Sequence, residues 1–464
     1  MHEFYVRCAD LDFHKLDEFI FVKMSKTHLP GMSIAVLENS EVTHSRGFGV
    51  RDLESGLRAT PRTLYGIGSV TKSFTALAIM QLTTEEKLGL EDPVSKHTPL
   101  VLGSPDEPVR VWHLLTHSSG IPALAYAEAL IRYVTGSGGE WLPMASYDDL
   151  FTFLTDANKW TLTAPGERWL YLNEGYLILG YLIEKLSGMS YEEYVKKNIL
   201  EPLGMTRTFF SRKDVETDLD VATPYIITRD EECKKSTYTY SLSSDGGLIS
   251  NALDMTHYIT MYLNRGRYET KTILAAESVS EMERPRVPIP LQALGGEGYG
   301  FGLSIVPDFY GCKLVGHGGS VLVSTAYMGY LPEKNIGITL LANGAGYQLS
   351  QIGQYGLALM LGEGPEELPF IKMEQSLEAL TGRYETYKGT MKAQVVERNG
   401  LLFIEIRDKH RDMVIPLIPE DLEGDVKIFH ALQAGGKLPI EFIVDGERTD
   451  LIYERYRLKR SGRL

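Results

Sequence analysis

The sequence is poor in the features that define several large classes of protein. It has three cysteines in 464 residues, Cys8, Cys233 and Cys312, which are odd in number and widely spaced. A disulfide framework is therefore not expected, no CxxC pair predicts a zinc site, and a reducing compartment suits the thiols. Runs of about 18 apolar residues are also missing, so the sequence predicts no membrane-spanning helix.

The chain also has fewer basic than acidic residues. Lys and Arg number 47 against 61 Asp and Glu, which gives a net charge of −14 and makes the chain a poor partner for nucleic acid. The first eight residues lack a basic segment followed by an apolar stretch, so no secretory signal is expected in the chain as given. We therefore expect a cytoplasmic protein that binds neither nucleic acid nor a membrane.

Strand and helix patterns share the first three quarters of the chain. Met32–Glu38 and Glu41–Val50 read as a hairpin around Asn39-Ser40, and Thr71–Leu82 is apolar nearly all round, as a buried helix would be. Further helices and later strands are predicted at Tyr147–Asp156, Gly175–Leu186, Tyr191–Leu200, Leu253–Asn264, Phe301–Val306, Lys313–Val315, Ser324–Tyr330 and Ile336–Leu341. Strands that flank a helical middle predict an α+β fold, in which helices cover one antiparallel sheet and a helical subdomain lies beside it.

The pattern changes after about Gly362. An acidic stretch with Pro365 reads as a linker, and beyond Ser376 short alternating segments are separated by turn signals such as Asn399-Gly400. This pattern predicts a small antiparallel β-barrel or sandwich. We therefore expect a first domain over residues 1–365 and a second over 372–464, which shapes access to a site or supports assembly of a homo-oligomer.

Ser69-Val-Thr-Lys72 is the single Ser-x-x-Lys in the chain. A serine hydroxyl is a weak nucleophile that needs a nearby base, and side chains three residues apart share one face of a helix. Burial and the positive end of the helix dipole both favour a neutral lysine, the form that can accept a proton. A capped helix with a surface lysine would show the same spacing, so this motif needs support from others.

Tyr171-Leu-Asn173 supplies a phenol and an amide. A phenolate near cations can act as general base or pass a proton to the leaving group, and the amide can bind a substrate carbonyl and Lys72. The same spacing recurs in Tyr262-Leu-Asn264, where an amphipathic helix makes core packing the better interpretation. Tyr171 instead follows Pro165-Gly166 in a predicted loop, where it can face a cleft.

Gly316-His-Gly-Gly-Ser320 lies between two apolar segments. Its glycines allow a substrate backbone to approach closely, and the N–H groups of Ser320 and Ser69 could form an oxyanion hole. His317 could stabilise the anionic intermediate or, when protonated, bind a substrate carboxylate. The alternative interpretation is a glycine-rich bulge with a surface histidine.

Together these motifs resemble those of the serine β-lactamase and D-Ala-D-Ala peptidase superfamily, in particular its class C-like branch with D-aminopeptidase and esterase relatives. Ser69-x-x-Lys72, Tyr171-x-Asn173 and His317-x-Gly319 follow the order of that branch's active-site motifs. Other matching segments are Gly31-Met-Ser-Ile-Ala-Val, Gly47-Phe-Gly49, Leu114-Leu-Thr-His-Ser-Ser-Gly-Ile-Pro122, Leu203-Gly-Met205, Asp245-Gly-Gly-Leu-Ile-Ser250 and Gly298-Tyr-Gly-Phe-Gly-Leu303. The resemblance covers about residues 10–360, and the C-terminal segment resembles the lipocalin-like barrel of several D-aminopeptidase-like relatives.

The resemblance implies acyl transfer through Ser69, with Lys72 and Tyr171 jointly as the base system and His317 as a further catalytic residue. Asn173, Gly319 and Ser320 are then the substrate-binding and oxyanion residues. Class C β-lactamases usually carry Lys-Thr-Gly as the third motif, whereas this chain has His-Gly-Gly, a form that resembles peptidases and D-aminopeptidases of the group. We therefore expect a serine peptidase or amidase acting on small peptides, with a D-residue at the cleaved bond.

Several alternatives stay open on the sequence alone. The same residues would serve a carboxylesterase or a β-lactamase-like hydrolase, and a non-enzymatic acyl-accepting sensor or scaffold would also carry them. His113 and His117 have the spacing of a zinc protease, but Leu114 stands where such an enzyme has Glu, so neither a metal nor another cofactor is expected. The absence of Gly-x-Ser-x-Gly argues against an α/β-hydrolase.

Overall fold

The computed structural model describes residues 13–138, 144–240, 243–410 and 412–464. Contacts divide the chain into two compact units, Met1–Glu363 and Gly364–Leu464. Each unit has a hydrophobic core of its own. Among the described residues, no helix has both the length and the apolar character needed to cross a bilayer.

The first unit alternates helices with strands along the chain. Its helices are α1 (His14–Thr27), α2 (Thr71–Thr84), α3 (Val111–Leu115), α4 (Tyr126–Thr135), α5 (Tyr147–Phe153), α6 (Asn173–Ser187), α7 (Tyr191–Val195), α8 (Arg212–Thr217), α9 (Ala252–Leu263), α10 (Ala276–Met282) and α11 (Leu349–Leu361). Its strands are β1 (Gly31–Glu38), β2 (Glu41–Gly49), β3 (Tyr65–Gly66), β4 (Tyr225–Ile227), β5 (Cys233–Lys235), β6 (Ile249–Ser250), β7 (Arg267–Tyr268), β8 (Lys271–Thr272), β9 (Val287–Pro288), β10 (Gly298–Tyr299), β11 (Ser304–Phe309), β12 (Cys312–Ser320), β13 (Thr325–Leu331) and β14 (Ile336–Ala342).

Eight of these strands form one antiparallel sheet in the order β2-β1-β14-β13-β12-β11-β10-β9. The N-terminal hairpin joins the later strands where β1 pairs with β14, with Met32 opposite Ala342 and Glu38 opposite Ile336. The sheet is thus built from both ends of the unit, with the helical middle between them in sequence. This arrangement confirms the predicted α+β fold class.

Strand β14 is buried along its whole length because helices cover both faces of the sheet. Gly337 faces α9, since a Cβ added there would lie 2.5 Å from Ile259 Cγ2. The next residue, Ile338, faces α11, where a Cβ added at Gly356 would lie 2.7 Å from Ile338 Cδ1. Neighbouring residues of a strand point to opposite faces, so these two contacts identify the two layers of helix.

Several predicted boundaries differ from the structure: the helices predicted at Tyr147–Asp156 and Tyr191–Leu200 end as α-helices at Phe153 and Val195, and two strand predictions differ as follows. The strand expected at Phe301–Val306 begins at Ser304, because Gly302 has a φ of 68° and turns the chain before it enters the sheet. The His-Gly-Gly motif, expected between two strands, lies inside β12 and pairs with β13, with His317 opposite Met328. The motif is therefore held by the sheet and is not a loop.

The second unit is a closed barrel of eight antiparallel strands, which confirms the predicted C-terminal β-barrel. Its strands are β15 (Gly382–Glu385), β16 (Lys392–Arg398), β17 (Leu401–Arg407), β18 (Asp412–Asp421), β19 (Val426–Gln433), β20 (Gly436–Asp445), β21 (Arg448–Tyr453) and β22 (Tyr456–Gly462). A helix that was not predicted, α12 (Pro369–Leu380), precedes them and adds Leu377 and Leu380 to the barrel core. Strand β19 was not predicted either, because its adjacent apolar pairs, Ile428-Phe429 and Ala431-Leu432, break the alternation of apolar and polar residues in the sequence.

Candidate active site

Ser69 lies at the junction of a short 3₁₀ turn, Gly68–Val70, and helix α2. The turn needs a glycine before the serine, because Gly68 has a φ of 52° and a Cβ added there would lie 2.8 Å from the Ser320 backbone N. Ser69 is half-buried, while the helix behind it is buried over most of its length. The hydroxyl is thus presented at the start of a rigid, fully packed helix.

Lys72 lies one turn further along α2 and is completely buried. Its amine donates hydrogen bonds to Ser69 Oγ over 3.1 Å and to the Asp245 carbonyl oxygen over 2.6 Å. The same nitrogen lies 4.9 Å from the centre of the Tyr171 ring. The predicted nucleophile, lysine and phenol are therefore brought together, within the distance at which a neutral amine can take the serine proton.

Asn173 is placed differently from the expectation that its amide would bind Lys72. Asn173 is the first residue of α6, and its side-chain Nδ2 donates a long hydrogen bond of 3.4 Å to Glu128 Oε1. Lys72 instead donates to the Asp245 carbonyl, which takes the place predicted for the amide oxygen. Asn173 still lines the cavity at Ser69, where it can meet a substrate.

His317 lies on β12 with 5% of its surface exposed. Its Nδ1–H donates to the Gly318 carbonyl over 2.6 Å, which leaves Nε2 to accept the Tyr299 hydroxyl over 2.7 Å. Burial lowers the pKa of His317 from its ordinary 6.5 to about 4, and Lys72, when it is protonated, acts in the same direction. The imidazole is therefore neutral around pH 7. His317 then cannot bind a substrate carboxylate as a cation, which was one of the two roles that the sequence suggested for it.

Gly319 marks the closest approach of β12 to the serine turn. A Cβ added at Gly319 would lie 1.9 Å from the Ile67 carbonyl oxygen and 3.1 Å from Ser69 N, so no larger residue fits without a shift of backbone. A Cβ added at Gly68 would in turn lie 2.8 Å from Ser320 N. The N–H groups of Ser69 and Ser320 thus lie in the same region, as an oxyanion hole requires.

These side chains share one cavity of about 570 Å³, a size suited to a small ligand. Its lining includes Ser69, Glu128, Tyr171, Asn173, Asp245, His317, Gly319 and Ser320. A larger cavity of about 1560 Å³ lies among α5, α7 and α8 and contains none of Ser69, Tyr171 and His317. The smaller cavity is the candidate active site because the nucleophile opens into it.

Three residues at this site were not assigned a role from the sequence. Asp245 holds Lys72 through its carbonyl, Tyr299 binds His317, and Glu128 binds Asn173. Asp245 and Tyr299 lie in two of the segments that match the family, and this position was the only indication in the sequence that they belong to the site. Glu128 carried none, because it lies on an amphipathic helix outside every motif that the sequence analysis singled out.

The two histidines with zinc-protease spacing, His113 and His117, both accept a backbone hydrogen bond. His113 Nδ1 accepts the Arg110 backbone N–H over 2.9 Å, and His117 Nδ1 accepts the Leu172 N–H over 3.0 Å. Across the described part of the chain, no group of three or more His, Cys, Asp or Glu side chains is arranged to hold a metal ion.

The fold and this site define a β-lactamase-type protein. The family model for β-lactamase matches residues 16–359, and the chain belongs to that family. Membership confirms the resemblance read from the three motifs and indicates a serine hydrolase. A second model, the Pab87 octamerisation domain, matches residues 365–459.

Known relatives agree with this assignment. The octameric penicillin-binding protein homologue from Pyrococcus abyssi is 46% identical, with a TM-score of 0.92 over 97% of this chain and 100% of that one. Penicillin-binding protein 4* of Bacillus subtilis is 25% identical over 86% of this chain and 88% of its own. Protein flp of Staphylococcus aureus is 26% identical, and the chain spans 62% of its length. A D-stereospecific amidohydrolase from Streptomyces sp., 22% identical with a TM-score of 0.62 over 76% of this chain and 100% of its own, shares the fold.

Proposed function

We propose that this protein is a serine peptidase or amidase that forms an acyl-enzyme at Ser69 and cleaves small peptides, with a D-residue at the cleaved bond. The contact of 3.1 Å between Lys72 Nζ and Ser69 Oγ carries the proposal. It supplies a nucleophile with a base in a buried site, which is what acyl transfer needs. Membership of the β-lactamase family supports the same chemistry.

The reaction follows from the positions of the side chains. Ser69 Oγ attacks the substrate carbonyl and gives its proton to the Lys72 and Tyr171 pair, while the N–H groups of Ser69 and Ser320 stabilise the oxyanion. The departing amine takes that proton, which leaves an ester at Ser69. Water then attacks the ester, and the same pair accepts a proton from the water and returns one to Ser69 Oγ.

The charges in the cavity support an amide substrate over a β-lactam. The lining of the described cavity contains no Lys or Arg, and His317 in it is neutral, while Lys72 lies behind Ser69 with its amine 3.1 Å from Ser69 Oγ. Burial also raises the pKa of Asp245, so that carboxyl adds no fixed negative charge to the lining. The carboxylate of a β-lactam finds no fixed cation in this lining, whereas a neutral amide needs none. The preference for a D-residue rests on the resemblance of the motifs to D-aminopeptidases.

The barrel supports a further part of the proposal, namely that the protein works as a homo-oligomer. The match to an octamerisation domain covers β15–β21 and part of β22, and the homologue from Pyrococcus abyssi is octameric. We propose assembly through the barrel, with the catalytic chemistry confined to the first unit.

The proposal is tested by comparing kcat/KM for a D-residue amide, its L-isomer, an ester and a β-lactam on one preparation. We expect the D-amide to exceed the β-lactam by at least about tenfold, equivalent to roughly 1.4 kcal/mol of barrier. Ser69→Ala should lower every rate by about a thousandfold or more while the fold is retained, because it removes the nucleophile. The acyl-enzyme itself is detected as a mass increase on Ser69.

Three results would count against this assignment. Preference for the β-lactam or cleavage of L-peptides alone would contradict the substrate class. Activity that survives Ser69→Ala would contradict the nucleophile. A single burst of acylation without steady turnover would identify an acyl-accepting sensor and not an enzyme.

A further inference from the structure

The phenol of Tyr171 lies on a segment that no helix or strand holds. Residues 161–172 are irregular, and α6 begins only at Asn173. The Tyr171 hydroxyl makes no hydrogen bond within the described residues, so the direction of the side chain depends on its ring contacts and on its backbone. A group that shares a proton with Lys72 must nevertheless be held to a fraction of an ångström, because proton transfer depends steeply on geometry.

His117 holds this segment in place through two hydrogen bonds. Its carbonyl oxygen accepts the Leu170 N–H over 2.7 Å, and its Nδ1 accepts the Leu172 N–H over 3.0 Å. The two residues that flank Tyr171 are therefore both bound to one residue. Because the bonds lie on either side of Tyr171, together they resist rotation of the intervening backbone.

The imidazole also packs against the phenol. The ring centres of His117 and Tyr171 are 3.9 Å apart with 33° between the planes, and Tyr176 and Tyr299 approach the same imidazole at 4.9 and 5.0 Å. His117 is 1% exposed, so this stack excludes water. Since Nδ1 accepts an N–H, the ring proton lies on Nε2, which has no hydrogen-bond partner among the described residues.

The backbone of His117 is unusual for a side chain of this size. Its φ is 55°, in the left-handed region that residues other than glycine rarely adopt. Such a conformation persists only where the surroundings dictate it, and it is concentrated at functional sites. Here it allows the carbonyl and the imidazole of one residue to face the same neighbouring segment.

We propose that His117 is a positioning residue, which sets the pose of the Tyr171 phenol against Lys72 and Ser69 through two backbone hydrogen bonds and one ring stack. The proposal rests on the proposed function, in which Tyr171 shares the proton of Ser69. His117 itself exchanges no proton. Burial holds its pKa well below the ordinary value, and Lys72, when it is protonated, acts in the same direction, so the ring stays neutral.

A double-mutant cycle tests whether His117 acts through Tyr171. His117→Ala should lower the single-turnover rate of acylation by about tenfold or more in the wild type, and by less than about twofold when Tyr171 is already Phe. His117→Asn should recover most of the rate, because Asn tolerates a positive φ and its Oδ1 can accept the Leu172 N–H. The pH profile of His117→Asn should keep its shape, since the group that titrates has not been removed.

His113→Ala is the matched control. His113 is also buried, its Nδ1 also accepts a backbone N–H, and its pKa is lowered to about 4 by burial. It has no ring contact with Tyr171 among the described residues. We expect His113→Ala to lower thermal stability much as His117→Ala does, yet to change acylation by less than about twofold.

Three results would overturn the positioning role. Equal losses from His117→Ala in the wild type and in Tyr171→Phe would mean that the two residues act independently. An equal loss from His113→Ala would indicate general destabilisation, and loss of the pH-dependent limb in His117→Asn would make His117 a base in its own right.

A second readout separates this proposal from the proposed function. The resonance of isotopically labelled Tyr171, assigned with Tyr171→Phe, should broaden or split in His117→Ala and not in His113→Ala, in an enzyme whose Ser69 is Ala. This measurement needs no turnover. If Ser69 proves not to be the nucleophile, the Tyr171 signal still decides whether His117 holds the phenol, and a signal that stays sharp and single would reject it.

Discussion

The two units of this protein bury different kinds of side chain. In the first unit, the buried residues around Ser69 are polar, and they include Lys72, His117, Asn173 and His317. In the second unit most buried residues are aliphatic or aromatic, with Glu405, His430 and Thr449 as the buried polar ones, and apolar side chains such as Leu432 and Tyr387 are 70% and 82% exposed. Burying polar groups costs free energy unless they have partners or a task, so the first unit carries the chemistry.

This difference predicts which property a substitution should change in each unit. A substitution at a buried polar residue of the first unit should change a rate, because these groups bind one another and the nucleophile. A substitution on the outer face of the barrel should change association, because large exposed apolar side chains are typical of surfaces that become buried in an assembly. Substitutions in both units can test this division between chemistry and association, and the largest effect is expected at Lys72 and Tyr171.

Lys72→Ala and Tyr171→Phe should each lower the single-turnover rate of acylation by about a hundredfold or more, and their effects should not add. The reason is the 4.9 Å between Lys72 Nζ and the Tyr171 ring, which allows the two groups to move one proton together. Rapid-quench kinetics on the two single variants and the double variant measures the coupling.

Tyr262→Phe is the control for this cycle. Tyr262-x-Asn264 has the same spacing as Tyr171-x-Asn173, but Tyr262 is buried in α9 with its hydroxyl 3.2 Å from that of Tyr258. We expect its acylation rate to stay within about twofold of the wild type. Strictly additive losses for Lys72 and Tyr171 would mean that the two residues perform separate tasks.

The sequence pointed to particular residues for the site, but for the barrel it pointed only to a class of fold. Ser69, Lys72 and Tyr171 stand in short motifs whose spacing is set by helix geometry and by chemistry, and such motifs are readable without knowledge of the fold. What the motifs could not show is that Asp245 provides a carbonyl for Lys72 through a contact between residues 173 positions apart. Contacts of this length depend on tertiary packing, which leaves no local pattern.

The role of His117 was missed for a related reason. The sequence places it in a loop with a family resemblance, where a structural histidine is the ordinary interpretation. Its left-handed φ and its two bonds to the segment around Tyr171 exist only in the fold. Similarly, the alternation of apolar residues in the sequence identifies β17, where Leu402, Ile404 and Ile406 are buried, but it does not show that Glu405 between them is buried as well, and it is absent from β19.

His317→Asn should alter the pH dependence of stability in the first unit. Burial lowers the pKa of His317 from 6.5 in the unfolded chain to about 4, so the unfolded state binds more protons between these values. The stabilisation is complete above about pH 6.5 and is lost as the pH falls towards about 4. We expect wild type to lose about 2 kcal/mol more than the variant between pH 7 and pH 4.5.

Chemical denaturation at the two pH values measures this difference. His430→Asn in the barrel is the control, since His430 is a buried histidine remote in sequence from the catalytic motifs and lies 2.9 Å from Glu420. It should leave the transition of the first unit unchanged. A His317→Asn protein with the same acid sensitivity as the wild type would show that His317 is not held neutral by its surroundings.

Removal of the barrel should have the smallest effect on the chemistry and the clearest effect on assembly. A chain that ends at Glu363 keeps every residue that lines the cavity at Ser69, and it retains the core of the first unit. We therefore expect kcat/KM for a small D-residue amide to stay within about threefold of the full chain, while the mass in solution falls to that of a monomer or a small oligomer. Light scattering coupled to gel filtration measures the mass. Because a truncated chain can aggregate for reasons unrelated to assembly, Leu432→Asp in the full chain provides a second measurement, in which a charge replaces an exposed apolar side chain of β19. Either variant would break the division of labour between the two units if it lost activity on the small amide while its assembly remained that of the full protein.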